Sequence, residues 1–201
     1  VTEACGMTEV QPYACNPLYG AGKVGSIGKA APGATLRLVD AFGVDVPPGE
    51  SGEVLVKSGA AMIGYWNDPE NTAATIRDGW LSTGDLARRD DDGFYWFVGR
   101  KKELIVRAGS NISPLEVEEA LYQHPAVREV GVVGSPDASL GEIVVAYVSL
   151  KPGATATETE LQGFLASRMA AYKITAHITF IPELPKRLTG KVQRKALKEL
   201  A

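Results

Sequence analysis

The stretch GRKKELIVRAGSNISPLEVEE, residues 99–119, combines a run of charge, a turn and the start of a helix. Three successive cations occupy residues 100–102, and a strand buried on both faces would not accept them without partners. Ser113 stands before Pro114, with Glu116 three residues further on, which is the pattern of a helix N-cap and capping box. The stretch therefore predicts a surface junction that leads into a new helix.

The hydrophobic pattern differs on the two sides of this junction. Between residues 24 and 98 apolar residues recur mainly at every second position, which is typical of half-buried strands. After Ser113 capped helical patterns alternate with strands, and the apolar run 142–150 predicts a strand at the centre of its sheet. We therefore predict a mixed α+β fold, with a β-rich, distorted barrel-like region at residues 1–100 and a small α+β domain at residues 101–201, in which helices flank a short sheet.

The composition is that of an ordinary globular protein. The 201 residues are 45% hydrophobic and 22% charged, with a net charge of -3, which argues against nucleic acid as a partner. No run approaches the roughly 18 apolar residues of a membrane span, and no signal peptide opens the sequence, so we expect a cytoplasmic chain without a membrane span. The two cysteines and two histidines lack the spacing of a zinc site.

Positive charge is concentrated near the C-terminus, between Lys186 and Lys198. This charge fits either a solvated helix face or a surface that meets a phosphate-rich ligand. In the same region Val192, Ala196 and Leu200 predict a terminal helix with a narrow apolar stripe.

Three further local patterns carry expectations. The residues from Gly20 to Gly25 spell the letters of a dinucleotide-binding fingerprint, but without the required flanking strand and helix they favour a glycine-rich loop. The polar opening 1–9 reads as the cut edge of a longer protein. The segment 82–85 is expected to interrupt two apolar stretches.

Four positions carry polar groups that the fold alone does not require: the pair Thr8 and Glu9, Asp85, Arg100 and Lys191. Each has an ordinary explanation as a strand end, a turn, an edge residue or a solvated helix residue. Lys191 fits that explanation least well, because a cation at the start of a helix faces the positive end of the helix dipole. The local sequence pattern alone does not decide between this ordinary explanation and a functional role.

Six motifs together resemble the adenylate-forming superfamily, and acyl-CoA synthetases in particular. They stand in the order and approximate spacing of that family across the whole chain. The motifs are Gly6-Met-Thr-Glu9, Gly64-Tyr-Trp66, Asp78-Gly-Trp-Leu-Ser-Thr-Gly-Asp85, Gly99-Arg-Lys-Lys-Glu-Leu-Ile105, Gly109-Ser-Asn-Ile-Ser-Pro114 and Pro185-Lys-Arg-Leu-Thr-Gly-Lys191.

The resemblance implies a two-step reaction. ATP and a carboxylic acid form an acyl-adenylate and pyrophosphate, and the acyl group then passes to the thiol of coenzyme A. Residues 1–100 would be the end of a large N-terminal domain, and residues 101–201 a mobile C-terminal domain that swings between the two steps. The family's phosphate loop and acyl pocket would lie in a missing N-terminal part, so we expect this piece alone to be inactive.

The resemblance also implies roles for residues of the first region. Thr8 would contact phosphate, and Glu9 would hold Mg2+ and so help to neutralise the triphosphate. Asp85 would accept hydrogen bonds from the ribose hydroxyls of ATP or AMP, with Arg100 beside it. Lys102 falls at the hinge position.

The resemblance implies roles for residues of the second region as well. Gly109 would let the pantetheine arm of coenzyme A pass close to the backbone. Lys191 would reach the carboxylate and the α-phosphate during adenylation, and Lys186 in the same motif is assigned to cofactor binding. The sequence departs from the family at Cys5, where an aromatic residue usually stands.

Other activities fit parts of this pattern. An adenylation domain of a peptide synthetase would pass its acyl group to a carrier protein, although the segment 110–114 and the lysine at position 102 resemble stand-alone CoA ligases more closely. A luciferase-like oxygenase is a second alternative within the superfamily. A folded piece without catalytic activity is the non-enzyme alternative.

Overall fold

The computed structural model describes residues 3–20 and 22–201. The chain divides into two compact units, Val1–Lys102 and Glu103–Ala201. The division falls directly after the run of cations at residues 100–102, where the sequence predicts a junction. The expected cut edge at Val1 and Thr2, and Ala21 in the glycine-rich loop, lie outside the described residues.

The first unit consists of short antiparallel strands and one helix. In chain order these are β1 (Ala4–Met7), β2 (Val10–Cys15), β3 (Lys29–Ala30), β4 (Ala34–Val39), β5 (Ser51–Ser58), α1 (Pro69–Thr75), β6 (Ile76–Arg77), β7 (Trp80–Arg89) and β8 (Tyr95–Arg100). The first three strands form one sheet in the order β1-β2-β3. The others form a second sheet, β4-β5-β7-β6, in which β8 also pairs with β7.

The core of this unit lies where alternate residues of β4, β5 and β7 meet side chains of β2. Val54, Val56 and Leu81 are fully buried beside Tyr13. In the described residues β4 and β8 do not pair, so the second sheet stays open and the predicted barrel-like form does not close. The α+β fold class itself is confirmed.

The polar segment 82–85, which separates two apolar stretches of the sequence, lies within a single strand. Strand β7 runs without a break, and the polar residues are accommodated by irregular pairing with β5 between Glu53 and Leu55. Strand β7 has two extra residues here relative to β5, and such an irregularity bends a strand locally and redirects side chains without ending the ladder. The polar segment therefore lies inside a strand, which places Asp85 in the sheet.

The second unit combines a mixed sheet with three helices. Its elements are β9 (Ile105–Arg107), β10 (Ser110–Ile112), α2 (Pro114–Tyr122), β11 (Val127–Asp137), β12 (Gly141–Leu150), α3 (Glu158–Ala166), β13 (His177–Phe180) and α4 (Arg194–Lys198). The sheet order is β10-β9-β12-β11, and β13 pairs with β12 in parallel. Strand β12 is therefore central, as its apolar run predicts.

Strand β12 is apolar at almost every position because both of its faces are covered. Val144, Ala146 and Val148 face a core formed with α2 and α3. Val145 and Tyr147 face a second, smaller core formed with Leu184 and Leu197. Successive side chains of a strand point to opposite faces, so two covered faces require a continuous apolar run.

Helices α2 and α3 start where the sequence predicts them, whereas the terminal helix α4 differs from its prediction. Ser113 is the N-cap of α2 before Pro114, and Thr157 caps α3 by accepting from the Glu160 N–H at 3.2 Å. The capping box predicted at Ser113 is wrong, because the Ser113 side chain makes no capping hydrogen bond and Glu116 instead accepts from Lys173. The terminal helix α4 is only one turn long, and its buried residue is Leu197, whereas Leu200 is exposed. The predicted stripe is therefore wrong at Leu200, because the helix ends at Lys198 and Leu200 lies beyond it.

None of the helices described in the chain is both long enough and apolar enough to cross a membrane.

Candidate functional site

The first group of predicted site residues lies in the tight turn between β1 and β2. Thr8 and Glu9 form this turn, and Thr8 is exposed. The Glu9 carboxylate accepts from the Tyr65 hydroxyl at 2.9 Å, and its backbone carbonyl accepts from the Met62 N–H at 2.7 Å. The turn is thus held against the loop that precedes α1, and its side chains face outward.

Asp85 and Arg100 lie side by side because strands β7 and β8 pair at these two residues. The Asp85 side chain is 3% exposed, and Arg100 Nε lies 3.0 Å from Asp85 Oδ1. The Asp85 backbone N–H donates to Thr83 Oγ1 at 3.0 Å, and that hydroxyl donates to the Val54 carbonyl at 2.8 Å. The strand register thus determines where this carboxylate stands.

Asp85 also has a buried partner, Tyr13. The Tyr13 hydroxyl donates to Asp85 Oδ2 at 2.8 Å, and the Cys5 thiol donates to the Tyr13 oxygen at 3.1 Å. Burial raises the pKa of Tyr13, and burial likewise raises the pKa of Cys5. Both groups therefore keep their protons at neutral pH and can act as donors in this chain.

The other carboxylate oxygen of Asp85 differs from Oδ2 in its partners. Asp85 Oδ1 is buried and receives no hydrogen bond from the described part of the chain. Arg100 Nε is at ion-pair distance, but its N–H is not aimed at this oxygen in hydrogen-bond geometry. A buried carboxylate oxygen without a donor is unfavourable, so the site suits a ligand that brings hydroxyl or N–H donors.

Gly109 lies in the second unit, in the two-residue turn between β9 and β10. Ala108 and Gly109 have φ of 47° and 80°, the left-handed values that such a turn needs. A Cβ built on Gly109 would meet no heavy atom within 4 Å. The turn therefore needs glycine for its conformation, and the space beside it is open.

Lys191 lies on the returning side of a short hairpin. Lys186 pairs with Val192, and the Arg187 N–H donates to the Lys191 carbonyl at 2.9 Å. The Lys191 side chain is exposed, and in the described part of the chain its ammonium group makes no ion pair. Its charge therefore remains available to a ligand.

Lys186 is in a different position from Lys191. Its ammonium group donates to Glu129 on β11, and this hydrogen bond raises the pKa of Lys186. Lys186 thus forms an ion pair that connects the base of the Lys191 hairpin to strand β11. Its assignment to cofactor binding stays a prediction.

Lys102 is exposed in a single 3₁₀ turn, Lys101–Glu103, at the division between the two units. No cluster of three His, Cys, Asp or Glu side chains that could hold a metal ion occurs among residues 3–20 and 22–201. Any Mg2+ at Glu9 would therefore need further oxygen ligands from a bound phosphate chain.

Sequence reasoning missed two residues that support these groups, Tyr13 and Arg194. Tyr13 is far from Asp85 in sequence, and no local pattern distinguishes it from an ordinary strand tyrosine. Arg194 belongs to the basic run near the C-terminus, but its side chain is largely buried in contact with Glu118 and Glu103. A charge count cannot separate a buried arginine from a solvated one.

Family models match both units. The AMP-binding enzyme model matches residues 1–66, and the AMP-binding enzyme C-terminal domain matches residues 116–191. The Asp85 and Lys191 sites thus lie in a chain with the fold of an adenylate-forming enzyme. The chain belongs to the AMP-binding enzyme family, the adenylate-forming superfamily, as its six motifs predict.

The curated relatives include several CoA ligases. The chain is 45% identical to the long-chain-fatty-acid–CoA ligase of Bacillus subtilis, over 99% of its own length and 36% of the relative's. It matches ATP-bound MatB from Rhodopseudomonas palustris with a TM-score of 0.95 and 36% identity, over 100% of this chain and 40% of that one.

A third match is the o-succinylbenzoate CoA synthetase MenE of Bacillus subtilis, solved with an acyl-adenylate intermediate. Its TM-score is 0.87 at 33% identity, and the match covers 98% of this chain and 40% of that one. The chain thus spans roughly two fifths of the length of the proteins that it matches.

Proposed function

We propose that the full-length protein is an ATP-dependent carboxylic acid:CoA ligase that acts in the cytoplasm. The observation that carries the proposal is the buried Asp85 carboxylate, whose Oδ1 lacks a hydrogen-bond donor and lies beside Arg100. A pair of ribose hydroxyls supplies the donors that this oxygen needs. The acyl-adenylate bound by a similar synthetase supports the same reaction class.

The first half-reaction joins the acid to AMP. A carboxylate oxygen attacks the α-phosphorus of ATP, the bond to the β-phosphate oxygen breaks, and pyrophosphate leaves. Thr8 has an exposed hydroxyl that can donate to a phosphate oxygen, and Glu9 offers a single carboxylate in an outward-facing turn. One carboxylate together with phosphate oxygens fits the usual ligand set of Mg2+, which would neutralise part of the triphosphate charge.

Lys191 has the properties needed to stabilise this step. Its ammonium group is exposed and makes no ion pair in the described part of the chain, and it lies on a hairpin fastened at its base. A positioned cation near the carboxylate and the α-phosphate would stabilise charge that develops in the transition state.

The second half-reaction transfers the acyl group to coenzyme A. The thiol sulfur attacks the acyl carbon, the bond to the phosphate oxygen breaks, and AMP leaves. Gly109 and the open space beside its turn would admit the pantetheine arm. Rotation of the second unit about Lys102 would move Lys191 away from the nucleotide and bring the Gly109 turn to it. The same nucleotide site would then serve both half-reactions.

The proposal is tested with the purified full-length protein, ATP, Mg2+ and a panel of carboxylic acids. We expect acid-dependent exchange of pyrophosphate into ATP without coenzyme A, and AMP with an acyl-CoA thioester when coenzyme A is added. Exchange without any thioester would favour transfer to a carrier protein. If no acid supports exchange, the proposed function is wrong.

A further inference from the structure

The residue that begins α4, Arg194, makes a dense set of polar contacts three residues after Lys191. Its Nε donates to Glu103 Oε2 at 3.0 Å, and its Nη2 donates to Glu118 Oε2 at 2.8 Å. Its Nη1 donates to Glu118 Oε1 and to the Val132 carbonyl, the latter at 2.9 Å. All of these partners lie in the second unit, on the segment before β9, on α2 and on β11.

Glu118 completes this network from the opposite side. It is buried, and its carboxylate also accepts from the Val132 N–H at 2.7 Å. Burial lowers the pKa of Arg194, but the carboxylates of Glu118 and Glu103 more than offset this, so the pKa is raised and the residue stays charged. A planar guanidinium can serve several acceptors at fixed angles, which a lysine ammonium cannot do.

The contacts of Arg194 close the base of the Lys191 hairpin. The Gln193 N–H donates to the Pro185 carbonyl at 2.8 Å, directly beside Arg194. Below this pair Leu184 and Leu197 pack on Gly131 of β11, where a Cβ would lie 2.7 Å and 2.5 Å from their methyl groups. Polar and apolar contacts therefore hold the base, while Lys191 itself extends into solvent.

We propose that Arg194 is a positioning residue for Lys191, and that its contact with Glu103 joins the hairpin to the residue that follows Lys102. The proposal rests on the proposed function, since it assigns Arg194 to the adenylation half-reaction. An exposed lysine on a loose hairpin would occupy the productive position for a small part of the time. A displacement of about 1 Å can lower a rate by about 100-fold, so a fixed base matters to this step.

The competing explanation is that Arg194 only stabilises the second unit. Removal of Arg194 alone would leave Glu118 as a buried charge without a partner, and such a charge strongly destabilises a fold. The decisive variant is therefore the double substitution Glu118→Gln with Arg194→Met. A glutamine oxygen can still accept from the Val132 N–H. No buried charge is left without a partner, and the Glu103 carboxylate, which also loses Arg194, is partly exposed to water.

The experiment compares the full-length wild type, Arg194→Lys, the double variant and the control Lys195→Met. The control removes one positive charge from the neighbouring position, where the side chain is exposed. Adenylation is followed by pyrophosphate exchange, and acyl transfer starts from presynthesised acyl-adenylate. Hydrogen exchange of the 201-residue chain follows the amides of Gly190 and Gln193.

We expect the folded double variant to lower kcat for adenylation by about tenfold or more, with the KM for ATP changed by less than about threefold. Transfer from acyl-adenylate should stay within about threefold of wild type. The Gly190 and Gln193 amides should exchange faster. The amides of β12 should be unchanged, as should those of β11 apart from Val132, whose N–H donates to Glu118. Arg194→Lys should give an intermediate adenylation rate, and Lys195→Met should match wild type.

Equal loss in both half-reactions, or adenylation near the wild-type rate, would overturn the proposal. Unchanged exchange at Gly190 and Gln193 would do the same. If the wild-type protein forms no acyl-adenylate with any acid, the proposed function fails, and the hydrogen-exchange comparison still decides whether Arg194 holds the hairpin.

Discussion

At the scale of single residues, the chain buries polar groups at positions where apolar side chains would have no desolvation penalty. Asp85 is taken out of water with a tyrosine on one oxygen and an arginine near the other. A buried carboxylate with an incomplete set of partners costs stability, because its desolvation is not fully compensated. We propose that a bound ligand supplies the missing donor to Asp85 and so compensates for its desolvation.

The Tyr13 hydroxyl is the main donor to the Asp85 side chain within the described residues, so its removal should lower the stability of the fold. We predict that Tyr13→Phe lowers the free energy of unfolding of the 201-residue chain by about 1–3 kcal/mol, the range for a buried acceptor that loses its donor. Urea denaturation measures the change. Tyr95→Phe is the matched control, because Tyr95 is also buried in this unit and its hydroxyl has no hydrogen bond within the described chain. Equal losses in both variants would contradict the role given to Tyr13.

Lys191 should act in one half-reaction only. We predict that Lys191→Ala slows adenylation by the full-length protein by at least about 100-fold, the scale of losing one electrostatic stabiliser in a transition state. Transfer from presynthesised acyl-adenylate should continue near the wild-type rate. Single-turnover assays of each step give the two rates, and a parallel fall in both would show that the residue serves the fold or binds phosphate in general.

At the scale of elements, local sequence signals and tertiary packing agree in α3 except at one residue. Gly163 lies in the middle of this helix, and a Cβ there would meet no heavy atom within 4 Å. We predict that Gly163→Ala raises the free energy of unfolding by about 0.5–1 kcal/mol, because alanine loses less backbone entropy on folding. Urea denaturation again provides the measurement.

Gly153→Ala is the contrasting substitution for this prediction. A Cβ at Gly153 also meets open space, but φ there is 76°, so a side chain is strained despite the room. This variant should be less stable than wild type. If both substitutions changed stability in the same direction, helix propensity would not explain the effect at Gly163.

At the scale of the whole molecule, the chain divides into two compact units after Lys102. We predict that Lys102→Pro in the full-length protein changes the rates of the two half-reactions unequally, because proline fixes φ and removes a backbone donor. Lys102→Ala removes only the charge and should leave the ratio of the two rates unchanged. An equal loss in both half-reactions, or no loss, would reject Lys102 as the hinge.

The second unit carries its own cores, and all of their members follow Glu103. We therefore predict that residues 103–201 alone show a cooperative thermal transition. As a control, Leu165→Ala should lower the midpoint strongly, since loss of a fully buried leucine costs about 2–5 kcal/mol. A broad transition without a midpoint would contradict independent folding.

The sequence by itself determined the strand and helix periods, the helix caps at Ser113 and Thr157, the junction at residues 100–102, and the family. The periods, caps and junction depend on neighbours a few residues apart, whereas the family is indicated by the order of six motifs along the chain. Only the tertiary structure decided that Asp85 sits within a continuous strand beside Tyr13, and that Leu197 rather than Leu200 is buried. It alone showed that Arg194 joins Glu118 and Glu103, because partners so distant in sequence meet only after the strands have paired and the sheet has buried both of its faces.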